Sequence, residues 1–211
     1  MYQLFFAPGA CSLAPHIALC ECGFEYELVK VNLKTKQTAD GRDYLQINPK
    51  GSVPALKTPE GEVLTEVAII LQYLADLKPE LKLLPEFKTS QRYQALIWLN
   101  YVSTEIHKGF TPLFSADRLM KTESAKEELK EVTREQLRAK FDYLNQHLKS
   151  QPSLIPFGVT VADFYLFNVL NWGQFVGIKN SDWSEIDQYF QKILARPSVQ
   201  KAMRAEGLIR D

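Results

Sequence analysis

Pro79 separates two patterns in this chain, and that change narrows the fold more than any other feature. Before it, short alternating runs are interleaved with apolar residues at helical spacing. Beyond it, every patterned stretch reads as helix. Tyr2–Phe6 reads as a strand ended by Pro8-Gly9, Leu13–Cys22 as a helix stopped at Gly23, and Tyr26–Lys30 as a second strand. A helix connecting two strands makes them parallel neighbours. Asn48-Pro49-Lys50-Gly51 has the composition of a turn, and Val53–Lys57 and Glu62–Leu64 flank Pro59-Glu60-Gly61 as a hairpin. Thr65 is placed to cap a helix running through Leu77. The order βαβ then ββα predicts a mixed four-stranded sheet with helices packed on it.

Pro79–Lys88 contains two prolines and no clear period, the composition of a linker. Downstream, helices are predicted over Ser90 to about Phe114, Glu123 to Leu148, Val161 to about Val176 and Ser184 to Leu194. The chain therefore divides into an α/β domain over 1–79, a linker over 80–88 and an all-helical domain over 89–211. Hydrophobic residues make up 45% of the sequence, enough for a packed core. The 25 basic and 25 acidic side chains cancel, which argues against a diffuse electrostatic hold on nucleic acid or anionic lipid. Neither nucleic acid nor membrane is expected as a partner. No apolar run approaches the ~18–20 residues of a spanning helix. Met1–Cys20 has neither the basic start nor the cleavage site of a signal peptide, so the chain reads as cytoplasmic. Cys11, Cys20 and Cys22, an odd count close together, read as reduced thiols.

Four places could carry chemistry. Pro8-Gly9-Ala10-Cys11-Ser12 joins the first strand to the first helix, with Ser12 as its N-cap. A thiolate at a helix start is stabilised, with pKa values that can fall to roughly 3.5–7.5; the plainer reading of Cys11 is a small buried cysteine. Asn100, Thr104, His107, Lys108 and Thr111 recur at helical spacing as one polar stripe. Its amide, hydroxyls and imidazole suit ligand orientation, although a solvated face is the usual origin of such a stripe. Val53-Pro54 places proline inside an apparent strand, as an edge residue or as a cis bond that turns the Val53 backbone toward a peptide-like ligand. At Thr65-Glu66-Val67 a helix start offers N–H groups to a carboxylate and Glu66 offers charge to an ammonium, or the acid is simply a favourable first-turn residue. Cys20 and Cys22 read as packing residues, since a metal would need four ligands at sensible spacing. His147 reads as a solvated residue near the end of a charged helix.

Five segments together resemble the cytosolic glutathione transferases, most closely their bacterial beta class. They are Pro-Gly-Ala-Cys-Ser-Leu-Ala-Pro-His at 8–16, Asn-Pro-Lys-Gly-Ser-Val-Pro-Ala-Leu at 48–56 and Thr-Glu-Val-Ala-Ile-Ile-Leu-Gln-Tyr-Leu at 65–74. Asn-Tyr-Val-Ser-Thr-Glu-Ile-His-Lys-Gly-Phe-Thr-Pro-Leu-Phe at 100–114 and Thr-Val-Ala-Asp at 160–163 complete the set.

The resemblance implies a thioredoxin-like domain followed by a helical domain, assembled as a homodimer. It implies glutathione as substrate, no separate cofactor or metal, and conjugation of the glutathione thiolate to small apolar electrophiles, a detoxification chemistry. Position by position, Cys11 and His107 match the residues beside the glutathione sulfur, and Ser12 adjoins them. Val53 would pair with the cysteinyl backbone, and Glu66 with Val67 would bind the γ-glutamyl end. Lys36 and Lys108 match basic residues facing carboxylates. Asn100 and Thr104 match positions that can reach across the dimer into the partner's glutathione site. Phe110, Leu113 and Phe114 are candidates for the electrophile pocket. Thr160 and Asp163 match a capping box that serves folding. Position 67 departs from the family, which more often has serine, threonine or glycine there. Two other functions fit the same residues: thiol–disulfide exchange through a mixed disulfide on Cys11, and a non-catalytic glutathione-binding module.

Overall fold

The protein is described here by a computed structural model covering residues 1–210. Its sheet contains β1 (Tyr2–Phe6), β2 (Tyr26–Asn32), β3 (Gln37–Thr38), β4 (Ala55–Lys57) and β5 (Val63–Thr65), in the order β3-β2-β1-β4-β5. β1 and β2 are parallel, with Tyr2 opposite Tyr26, and the remaining pairs are antiparallel. The sheet is mixed, as the sequence predicts, but has five strands instead of four. The additional β3 is a two-residue edge strand, too short to leave a period in the sequence. Leu4, Phe5 and Phe6 are all buried because β1 is central and covered on both faces.

The helices are α1 (Leu13–Glu21), α2 (Val67–Asp76), α3 (Ser90–Tyr101), α4 (Lys108–Leu119), α5 (Glu123–Ser150), α6 (Val161–Asn171), α7 (Ser184–Leu194) and α8 (Pro197–Ala205). Thr65 does not cap α2: it ends β5, and Glu66 occupies the cap position with φ +70° and no side-chain cap bond. The helix expected over Ser90 to Phe114 is interrupted by a π-helical segment, Val102–His107. Lys140 Nζ donates to the Glu105 carbonyl at 2.9 Å and to its carboxylate at 2.8 Å, supporting this wider turn. Sequence periodicity also misses α8, although Pro197 stands at its first turn, where a missing N–H costs nothing.

Seven consecutive residues of α1, Leu13 to Leu19, are buried. That helix packs on α2 on one side and on α6 and α8 on the other, so no face of it meets solvent. One apolar cluster consequently runs from Leu4 and Leu13 through Leu71 to Phe141, Phe167 and Ala202. The α/β and helical parts share a core despite the proline-rich stretch between them. At the start of α6 the capping box forms as expected: Thr160 Oγ1 accepts from Ala162 N at 3.3 Å and the Asp163 carboxylate accepts from Thr160 N at 2.7 Å. Among the described residues, no helix is long and apolar enough to cross a membrane.

Candidate active site

The loop from Ala7 to Ser12 carries Cys11 beyond the C-terminal end of the central strand β1, and side chains from the helical part fix its backbone. Gly9 has φ +70°, a conformation glycine adopts without strain. Its N–H donates to Glu206 Oε2 at 2.9 Å, and its carbonyl accepts from Trp172 Nε1 at 2.8 Å. The Ala10 carbonyl accepts from Asn168 Nδ2 at 3.0 Å. Ser12 is not a side-chain cap, contrary to the sequence reading. It is fully buried, and its hydroxyl donates to the Ala7 carbonyl and accepts from Ala7 N, both at 3.3 Å. Its hydroxyl closes the loop on itself.

Cys11 also differs from expectation. Burial pushes its thiol up to about 12, with the Glu66 charge adding to the rise, and the N–H groups at the helix start and Lys108 only partly offset it. The thiol is therefore protonated at neutral pH and donates to the Val53 carbonyl across 3.1 Å. We expect iodoacetamide to alkylate Cys11 of the unliganded protein only slowly between pH 6 and 8. Peptide mapping by mass spectrometry reads this directly, and rapid alkylation would contradict the burial argument.

Val53-Pro54 is a cis peptide, and Val53 is buried at the end of the loop that enters β4. Tyr44 Oη and Asn48 Nδ2 hold that loop by donating to the Ser52 carbonyl at 2.8 and 2.7 Å. Lys36, itself at φ +57°, donates from Nζ to the Gly51 carbonyl at 2.7 Å, two residues from Val53. Glu66 is exposed and ion-paired with Lys50, a residue the sequence reading did not single out. Lys50 also donates to Thr65 Oγ1 at 2.8 Å. An exposed pair of this kind is weak, so an incoming cation can displace Lys50 at little cost. Val67 packs in the core, which leaves its backbone as the group available at the start of α2.

The π-helical segment changes the expected stripe. A wider turn rotates the residues that follow it away from α-helical register. Asn100 and Thr104 are exposed and line an open groove of about 620 Å³ with Tyr93, Ile97, Tyr101 and Glu105. His107 instead turns inward: its Nδ1 lies 2.6 Å from Tyr165 Oη, and its ring meets the Trp172 ring edge-on at 4.8 Å. Burial holds its pKa down at about 4, and Lys108 lowers it further against an opposing effect of Glu66. His107 is consequently neutral at pH 7. Glu66 raises and Lys108 lowers the pKa of both His107 and Cys11. Phe110 and Leu113 are core residues, whereas Phe114 is 56% exposed and packs edge-on against Trp172 at 5.9 Å.

Sequence reasoning missed Tyr165, Asn168, Trp172 and Glu206. Tyr165 and Asn168 are polar side chains inside the otherwise apolar α6, a signal that buried partners wait for them. Two minor readings also change. His147 is half-buried against Trp98 and bonds the Leu154 carbonyl at 3.0 Å. Cys20 Sγ contacts Tyr26 Oη at 3.0 Å. All three cysteines are free thiols, and no cluster able to hold a metal occurs among the described residues.

A sheet of this order, a cis proline beside a loop cysteine and an appended helical bundle define a recognisable class. Residues 1–76 match the family model for the glutathione S-transferase N-terminal domain, and residues 101–197 match that for the C-terminal domain. The chain is 45% identical over 206 residues to the glutathione S-transferase GstA of Escherichia coli O157:H7, covering 98% of this chain and 99% of that one. It superposes with TM-score 0.91 on a bacterial beta class enzyme from Sphingomonas chungbukensis, at 40% identity over 98% of this chain and all of the other. A sphingomonad glutathione S-transferase complexed with glutathione gives TM-score 0.90, again at 40% identity over 98% of this chain and 100% of that one. The chain belongs to the glutathione S-transferase family, and its structural neighbours include the bacterial beta class.

Proposed function

We propose that this protein binds glutathione between the Cys11 loop, the Val53 turn and the start of α2, and transfers the tripeptide to small apolar electrophiles. The thiolate sulfur forms a bond to the electrophilic carbon, and the leaving group departs with its electron pair. Cys11 and His107 lie nearest the sulfur, Ser12 holds the Cys11 loop closed, and Val53 offers its backbone to the cysteinyl unit once the Cys11 thiol gives way. Glu66 and the Val67 N–H serve the γ-glutamyl end, and Lys36 and Lys108 face carboxylates. Phe114 and Trp172 supply an apolar wall for the second substrate. In the proposed division, residues 1–79 carry the glutathione site, 80–88 connect, and 89–211 form the helical domain. The exposed groove around Ile97, Asn100 and Thr104 is assigned to a second copy of the chain, and the free thiols suit a cytoplasmic enzyme.

The single observation that carries the reading is a loop cysteine, Cys11, whose Sγ lies 3.1 Å from the Val53 carbonyl in a chain of this family. Thiol–disulfide exchange is disfavoured because Cys11 stays protonated at neutral pH. Calorimetric titration with glutathione and a conjugation assay with 1-chloro-2,4-dinitrobenzene test the proposal. A protein that neither binds nor conjugates glutathione sinks it. Glu66→Gln removes one charge opposite an ammonium. It is expected to weaken glutathione binding about ten-fold or more, the worth of a charge-assisted hydrogen bond, with kcat at saturation retained.

A further inference from the structure

We propose that Tyr165 is a positioning residue that fixes His107 as the Nε2–H tautomer, so that its imidazole donates a hydrogen bond to the substrate sulfur. The inference rests on the glutathione reading of the site and adds one residue to it. Tyr165 stands on α6 and is almost fully buried, and its phenol oxygen lies 2.6 Å from His107 Nδ1. The rings meet edge-on at 5.8 Å, so packing and the hydrogen bond hold the imidazole in one orientation.

The direction of that bond decides the chemistry. His107 Nδ1 is the partner within hydrogen-bond distance of the Tyr165 phenol, and the phenol proton goes to it, because a buried hydroxyl proton without an acceptor would cost free energy. Burial keeps the Tyr165 phenol far above neutral pH, so this donor is never lost. His107 is itself neutral and carries a single ring proton, which must reside on Nε2. The charged and titratable groups acting on this pair are Lys108, Glu66 and Cys11. None of them competes for Nδ1.

In this arrangement the ring stabilises a sulfur that has already lost its proton, and the thiol proton leaves to solvent. A histidine with the opposite tautomer would accept that proton through Nε2. This relay from Tyr165 to His107 thus selects stabilisation of the thiolate over general-base catalysis.

Nitrogen NMR of the unliganded protein with labelled histidine reads the tautomer without any substrate. Wild type should show protonated Nε2 and bare Nδ1 between pH 6 and 8, whereas Tyr165→Phe should show both tautomers. In kinetics, Tyr165→Phe is expected to lower kcat about ten-fold with little change in KM for glutathione, and to move the pH midpoint of thiolate formation upward. A protonated Nδ1 in the wild type, or an unchanged pH profile in a well-folded Tyr165→Phe protein, would overturn the relay. A protein that shows the Nε2–H tautomer but never conjugates glutathione would support the relay and remove the substrate reading instead.

Discussion

Replacing Glu206 with alanine is expected to destabilise this protein by about 3–5 kcal/mol, the cost of breaking a buried ion pair, and to lower Tm by roughly 6–20 °C. The carboxylate is fully buried at the end of α8, where Oε1 bonds His16 Nδ1 at 2.9 Å and Oε2 accepts from Gly9 N at 2.9 Å. Its removal leaves two donors unpaired, and it frees the loop that carries Cys11. Burial alone would lower the pKa of His16, but the Cys20 and Glu206 side chains outweigh it and raise the value. The folded protein therefore holds a proton on His16 that the unfolded chain releases near pH 6.5. That contribution is fully present below about pH 6.5 and is lost as pH rises through the folded value. Denaturant titrations across this range should show wild-type stability falling with pH and Glu206→Gln showing a flatter profile. Equal slopes in the two proteins would refute the pairing. Conjugation should also fall in Glu206→Ala by more than its folded fraction accounts for, since Gly9 anchors the loop on both of its peptide groups.

Much of the α/β half is legible because short-range signals there are strong. Pro8-Gly9, Gly23 and Asn48–Gly51 punctuate the chain, and the periods between them switch cleanly. Four expected strands occur, and only the edge pair Gln37–Thr38 leaves no trace. The errors share a cause, which is that tertiary contacts decide what a local pattern leaves open. Thr65 has good capping chemistry, yet pairing opposite Ala55 draws it into β5. Ser12 likewise has capping chemistry, but its hydroxyl is used by Ala7. Cys11 sits at a helix start, but desolvation by burial outweighs the helix N–H groups.

The site itself was only half readable for the same reason. Residues that face the cleft from the sheet lie in compact motifs and can be found along the chain. Residues that support them come from α6 and α8, at sequence separations of 158 to 197 residues from the loop they hold. No local spacing can encode such a contact. The stripe from Asn100 to Thr111 is more instructive: α-helical spacing puts its residues on one face, and one π-helical segment turns His107 inward while Asn100 and Thr104 stay outside.

Asp163→Ala is expected to match or exceed the effect of Glu206→Ala on folding. Its carboxylate is fully buried and accepts from Thr160 N at 2.7 Å, Thr160 Oγ1 at 2.8 Å and Tyr189 Oη at 2.9 Å. Each donor left unpaired in the interior costs about 1–3 kcal/mol, so the three together should remove roughly 3–9 kcal/mol. A lost N-cap by itself costs about 0.5–2 kcal/mol, so Thr160→Ala should be the milder change. Asparagine separates charge from shape at this position. Burial raises the Asp163 pKa while its Thr160 and Tyr189 donors pull it down, so a neutral side chain escapes the desolvation cost and still accepts at one oxygen. Asp163→Asn should therefore lose less than half of what alanine loses. Chemical denaturation of the three variants orders them, and asparagine proving as damaging as alanine would contradict this account. Function depends on the same carboxylate through the helix it starts. α6 carries Tyr165 to His107 and Asn168 to Ala10, so its first turn also sets the height at which both side chains meet the site. Folded Asp163→Ala protein should for that reason bind glutathione with a lower enthalpy than wild type, even at temperatures where it remains fully folded.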